Sequence, residues 1–393
     1  MAKGTASILR IFLAGHADRP RDALLMLAGF LISAATLTLL LSVPAGIDGI
    51  AARTGDDRIA LVLSSQARSE VESHLPAHVA GIVAALPQVS RDASGRVLVA
   101  PQFIANTKLT RRDGVRSTVQ IRGVDPSTPA VLDTIDGLVQ LPAGQPGVQD
   151  LLVGRMLAPA YRELQGNDVL ELRRSPLALR HGLAANGGLW ESELWADLST
   201  LQAAFNAPGQ VSVLWVRLPD ADAFQAFAAA VRADPRLSGV RVVPQGTYHA
   251  GQVAFVSRLV RLAAAGVSLL LGAGATLVIA NALDTALRRR RREMGTLRAL
   301  GFPGSSIGLA VFVEVALIGL FATTIALVAM HVAVGGRVFG TSAGSLAIQV
   351  PLTITPALAL TVCMYSLALG LLSALLPTWR LAGGKLIDAL RAD

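Results

Sequence analysis

Hydrophobic and polar positions divide this chain into two kinds of territory. Four apolar runs, at 23–43, 262–283, about 305–330 and about 356–376, alternate with segments rich in charge, proline and glycine. The first run holds 21 residues without a charge and the second 22. Each is long enough to cross a bilayer as a helix, for which about 20 residues suffice. In the second run Ala264, Ser268, Gly272, Thr276 and Ala280 recur every four residues. That spacing lays small side chains along one helix face and lets another helix approach closely in lipid.

Between the first two runs the period changes. Residues 48–258 contain no run of spanning length. Alternation in Val97-Leu-Val-Ala, Val119-Gln-Ile-Arg, Val211-Ser-Val-Leu-Trp-Val-Arg and Val240-Arg-Val-Val predicts strands. Helical spacing predicts helices over Ser69–Leu86, Leu151–Leu164 and Asp222–Arg232. The mixed order predicts an α+β domain of two subdomains. Its boundaries or loops fall in the Gly/Pro-rich patch Leu141–Gly147 and in Arg173–Gly188.

The fold class expected is therefore an α-helical membrane protein: four transmembrane helices, with a mixed α+β extracytoplasmic domain inserted between helices 1 and 2. Residues 1–22 form a basic amphipathic segment, 23–47 the first transmembrane helix and 48–258 the inserted domain. The second helix spans 259–284, a connector 285–303, the third helix 304–333, a short outer loop 334–353, the fourth helix 354–377 and a basic tail 378–393.

Composition and charge orient this arrangement. The chain is 52% hydrophobic and 16% charged, with a mean hydropathy of +0.52, as expected when lipid is the solvent for part of it. Residues 48–258 carry 20 basic and 20 acidic side chains, so the net +8 flanks the apolar runs. By the positive-inside rule both termini and the connector lie in the cytoplasm, and the neutral domain lies outside. In a bacterium this is the cytoplasmic, or inner, membrane. A nucleic-acid-binding protein would gather its excess charge on a folded surface, so no such partner is expected. Cys363 is the one cysteine, which excludes an intrachain disulfide.

No catalytic set is visible. Gly383-Gly-Lys385 lacks the first glycine and the hydroxyl residue of a nucleotide-binding loop. His74 and His78 have Pro76 between them and no zinc-protease glutamate, so they read as solvent-facing residues rather than metal ligands. Glu191, Glu193 and Asp197, around Trp190 and Trp195, read as a charged surface. Glu314 is different. It lies inside the third apolar run, about 14 Å along the helix at ~1.5 Å per residue. A carboxylate at that depth faces protein or water; it either pairs with a hydroxyl or basic group near the cytoplasmic interface or acts as an intramembrane polar lock between helices.

The connector holds the densest chemistry. Arg288, Arg289, Arg290, Arg291 and Arg292 read as a topology and lipid anchor. After them, Met294, Leu297, Leu300 and Gly301 form an apolar stripe at helical spacing, flanked by Glu293 and Arg298. Such a stripe lies on lipid or fills a groove in a partner.

Arg292-Glu-Met-Gly-Thr-Leu-Arg-Ala-Leu-Gly-Phe302 resembles the R-E-[IM]-G-x-L-R-A-L-G segment of ABC-transporter permeases of the FtsX-like, or MacB/LolC/LolE, family. Ile121-Arg-Gly-Val-Asp-Pro126 is similar to that family's G-V-D-P strand end. Leu152–Ala158 with Gly166-Asn-Asp-Val169 is similar to its G-x-x-L-A … G-D-x-V element. Leu376–Ala382 with Ile387–Arg391 resembles its C-terminal ending, although Gly383-Gly-Lys-Leu stands where the family places a proline. The resemblance implies a split permease without a fused ATPase, working by mechanotransmission. Its coupling helix, Glu293, Met294, Gly295, Leu297, Arg298, Leu300 and Gly301, docks on a cytoplasmic ABC ATPase dimer. ATP and Mg are bound there and not by this chain, which holds no cofactor of its own. A second or homologous permease, membrane lipid and a periplasmic adaptor are the other partners implied. Export or extraction of a substrate, lipoprotein release among the candidates, is the function implied. A signalling permease that activates cell-wall hydrolases is the alternative.

Overall fold

The computed structural model describes residues 20–76, 78–132, 149–165, 168–173, 175–184, 187–300, 302–335, 337–343 and 346–383. The amino-terminal segment up to residue 19, the Leu141–Gly147 patch, Gly301 and the tail beyond 383 lie outside them. The chain forms two compact units. One comprises residues up to 45, 258–337 and 352 onward; the other comprises 46–257 and 338–351.

The sheet unit is built on nine strands in the order β5-β6-β4-β7-β3-β2-β8-β1-β9. In chain order its elements are β1 (Ile59–Ser64), α2 (His78–Ala84), β2 (Val99–Thr110), β3 (Arg116–Val124), α3 (Thr128–Val131), β4 (Gln149–Gly154), β5 (Val169–Leu172) and β6 (Ser175–Leu183). These are followed by β7 (Leu194–Asp197), α4 (Leu198–Ala204), β8 (Val213–Arg217), α5 (Ala223–Ala233) and β9 (Val240–Pro244). The central strands are covered on both faces, so β1 and β8 read as near-continuous apolar runs, Ile-Ala-Leu-Val-Leu and Val-Leu-Trp-Val. Most pairings are antiparallel. β3 with β7 and β4 with β6 are parallel.

A single sheet runs through the region, carried across it by the long β2–β3 pairing from Gln102↔Val124 to Thr110↔Arg116. Three local expectations are corrected. The helix expected over Leu151–Leu164 is β4 followed by turns. A short apolar run is ambiguous between the two states, and burial on both sides selects the strand. Gly154 also lies against the backbone of Glu191, where a Cβ would come within 2.3 Å of a carbonyl oxygen. Within Ser69–Leu86 only His78–Ala84 is helical. Pro76 disfavours helical geometry at Leu75, which bridges to Val211 instead. Most of Arg173–Gly188, read as loop, is strand β6 with Leu177 and Leu183 buried.

Among the described residues four helices are long and apolar enough to cross a membrane, and the membrane unit is built on them: α1 (Pro20–Arg53), α6 (Gln245–Arg289), α8 (Gly304–Val334) and α9 (Pro356–Gly383). The short α7 (Arg291–Ala299) separates α6 from α8. The small-residue stripe of α6 meets α9. The hydroxyl of Tyr365 donates to the Ser268 carbonyl at 2.8 Å, and Ser33 of α1 lies 2.7 Å from the same hydroxyl. A Cβ on Gly272 would stand 2.6 Å from it, so this position is held to glycine by close approach.

The loop expected over 334–353 holds a hairpin, β10 (Val338–Ala343) and β11 (Leu346–Pro351). It belongs to the sheet unit. Val350 and Gln349 are buried there, and the Gln349 backbone N–H donates to Ser192 Oγ at 3.2 Å.

Candidate functional site

Two sets of side chains stand out, one in each unit. In the membrane unit, α6 ends at Arg289, Arg290 leaves helical geometry at φ −97° and ψ 10°, and α7 begins at Arg291. Pro303, extended at φ −68° and ψ 145°, then caps the start of α8. The connector is thus a separate helix bounded by two breaks.

Its faces differ from the sequence reading. Met294 is 4% exposed and packs, with half-buried Leu297, among Met26, Leu283, Leu287, Ile307 and Val311. Of the four stripe residues, Met294 and Leu297 therefore pack α7 against its own chain, Leu300 does not, and Gly301 lies outside the described residues. Gly295 is buried with Met294, and Arg298 is half-buried. The face turned away consists of Glu293, Thr296, Ala299 and Leu300, the last 71% exposed.

The arginine cluster is also not uniform. Arg288 pairs with Asp284 at 2.7 Å and Arg289 with Asp22 of α1 at 3.3 Å. Arg290 is 6% exposed and its Nη1 lies 3.4 Å from Oε1 of Glu314, itself 2% exposed. The carboxylate inside the third helix thus meets the residue at the corner between α6 and α7. Nothing is described of the Arg291 and Arg292 side chains. What was read as one anchor contains at least one inward-facing clamp.

The sheet unit holds a centre that the sequence reading missed. Glu193 and Glu191 are buried, contrary to their assignment to a charged surface. Arg122 on β3 is wholly buried. Its Nε donates to Glu193 Oε2 at 2.8 Å, its Nη2 to Glu70 Oε2 at 2.9 Å and Glu193 Oε1 at 3.1 Å, and its Nη1 to Gln102 Oε1 at 2.6 Å. Trp190, Trp195 and Trp215 surround the guanidinium carbon at 5.0, 5.6 and 5.2 Å, within cation–π range. Tyr248 and His249, from the start of α6, complete the wall. The Tyr248 hydroxyl accepts from the Glu70 backbone N–H at 2.8 Å, and His249 meets Trp190 edge to face.

Burial dominates the ionisation of this centre. It raises both carboxyls and the two Arg122 contacts draw them back, leaving Glu193 above its ordinary value and Glu70 below. Burial, with the Arg122 charge, pushes His249 down to about 4 against the pull of Glu70. Asp197, by contrast, caps α4, accepting from Thr200 N at 2.9 Å. His74 and His78 are exposed, as read. Among the described residues no three His, Cys, Asp or Glu side chains converge as metal ligands.

Comparison with known proteins adds to this geometry. Residues 265–386 match the FtsX-like permease C-terminal family. No curated protein matches the chain in sequence. The extracellular domain of the noncanonic ABC-type transporter YknZ from Gram-positive bacteria is similar at TM-score 0.33 and 12% identity, over 47% of this chain and 99% of that one. The periplasmic region of MacB from Actinobacillus actinomycetemcomitans is similar at TM-score 0.35 and 11% identity, over 50% of this chain and 92% of that one.

Proposed function

We propose that this chain, whose residues 265–386 match the FtsX-like permease C-terminal family, is the membrane subunit of an ABC transporter driven by a separate cytoplasmic ATPase dimer. The sheet unit lies on the outer side of the membrane, where the charge pattern of the flanks would put it. ATP and Mg bind to the ATPase, and α7 receives the force of its closure. The chain passes between the sheet and membrane units within α1 and α6 and again at the two ends of the β10–β11 hairpin, and the two helices carry the movement outward. The substrate is exported or extracted from the outer side, without a polar path along the helices.

One observation carries this reading. α7 is fixed to its own chain by Met294 and by the Arg290–Glu314 pair, while Glu293, Thr296 and Leu300 face away from that packing. A helix held from behind and open in front suits the transfer of force. A second permease copy and lipid would cover the exposed apolar side chains of α6, such as Leu269 and Leu270.

Reconstitution tests it. The chain alone should hydrolyse no ATP, and its complex with the ATPase should do so and move substrate. Glu293→Lys with Leu300→Asp should leave the chain folded and break the link between hydrolysis and transport. Turnover by the chain alone, or normal coupling in that variant, would overturn the reading.

A further inference from the structure

Arg122 faces more negative charge than it balances. One cation, Arg122 of β3, meets two carboxylates: Glu70 from the turn after β1 and Glu193 at the start of β7. The start of α6 contributes Tyr248 and His249, and the charge of Arg241 of β9 also acts on Tyr248. With the tyrosine and histidine neutral, two ionised carboxylates would leave a net charge of minus one out of reach of bulk water. A protein meets that cost by taking up a proton in preference to holding an unbalanced charge.

The surroundings give a proton a place and a route. A cavity of about 20 Å³ adjoins both carboxyls and is lined also by Ser69, Gln120, Tyr248 and His249. That is room for a single water molecule. Gln120 Oε1 and Nε2, Ser69 Oγ and His249 Nε2 reach no hydrogen-bond partner within the protein. Gln120 and His249 are both almost wholly buried, so these are polar groups turned to a space that only a small polar species fills.

We propose that Glu70 and Glu193 together hold one proton at neutral pH, making the Arg122 centre a one-proton binding site. The proton comes from solvent by way of the cavity and returns there when the pair ionises. No bond other than the carboxyl O–H forms or breaks. The two carboxyls titrate as a unit, because each sits on the same guanidinium. The opposite directions in which burial and Arg122 leave the two carboxyls agree with this. His249 does not supply the missing positive charge, since burial keeps it neutral. The site is a property of the sheet unit and stands whether or not the transport reading holds.

The tryptophans provide the probe. The chain has four, and three of them surround Arg122; the fourth is Trp379. Tryptophan fluorescence of the full chain carrying Trp379→Phe is followed against pH, with melting midpoints measured at about pH 8. The expected result is one titration whose midpoint lies on the alkaline side of neutral, far above the ordinary carboxylate value of about 4.3; a midpoint on the acid side would overturn the proposal. The titration should vanish in Glu70→Gln and in Glu193→Gln, each of which fixes the neutral count, with the melting midpoint unchanged or raised. Glu70→Gln with Glu193→Gln strands Arg122 and should melt lower. A parent without the titration, whose single variants melt lower or fail to fold, would show both carboxylates ionised and overturn the proposal. So would a titration that survives both single variants and is lost in His249→Gln.

Discussion

Met294 and Leu300 belong to the same short helix and face opposite ways, so truncating each should damage a different property. Met294 is 4% exposed, at the meeting of three helices. Met294→Ala removes a buried side chain whose loss costs about 2–5 kcal/mol in stability. Leu300 is 71% exposed, and Leu300→Ala should stay within about 0.5 kcal/mol of the parent. If the outward face of α7 docks on an ATPase, the order reverses on binding. An apolar anchor at the centre of an interface is worth about 2 kcal/mol, a roughly thirtyfold change in affinity. Thermal melting of the detergent-solubilised chain measures the first effect. Titration of the chain with its ATPase, scored per folded molecule, measures the second. Leu300→Ala binding as well as the parent, while Met294→Ala binds poorly at full stability, would refute the assignment of the two faces.

Three further outcomes follow from particular contacts. Removing either partner of the Arg290–Glu314 pair deprives a buried charge of this counter-charge and should cost about 3–5 kcal/mol, whereas Arg290→Met with Glu314→Leu should regain much of it in thermal denaturation. Gly272→Ala drives a methyl against the Tyr365 hydroxyl, which two hydrogen bonds hold in place; a loss of about 1–3 kcal/mol is expected, and Tyr365→Phe should relieve part of it in the same melting assay. His249 has a folded-state value depressed from 6.5 to about 4, so its stabilising contribution is complete above 6.5 and is lost as pH falls through 4. His249→Gln should flatten that acid limb of the stability curve, by on the order of 3 kcal/mol.

What the sequence disclosed depended on whether the governing interactions were local. The four apolar runs were legible because lipid acts on composition along one helix at a time. The connector was legible for a similar reason, with Pro303 and the break at Arg290 close in sequence. Which way it faces was not, because Met294 is buried among side chains of other helices, Met26 and Ile307 among them. The Arg122 centre was still less accessible. Its carboxylates lie 52 and 71 residues away along the chain, and an isolated Glu in a polar stretch reads as solvent-facing. A signal did exist: Gln120 and Arg122 alternate with Val119 and Ile121 in a strand that β-pairing buries on both faces, and the tryptophans are concentrated near Glu191 and Glu193. Polar residues in such a strand require partners on the same face.

The β10–β11 hairpin has a consequence for how the molecule is made. The last strands of the sheet unit are not encoded with the rest of it; residues 338–351 follow 257 only after α6, α7 and α8 have been synthesised. On a ribosome the nine-stranded sheet is complete long before Gln349 and Val350 arrive to cover β3 and the turn at Leu189–Ser192. The sheet must therefore wait with that surface bare until three spans have been inserted. An excised 46–257 fragment would keep that surface bare permanently.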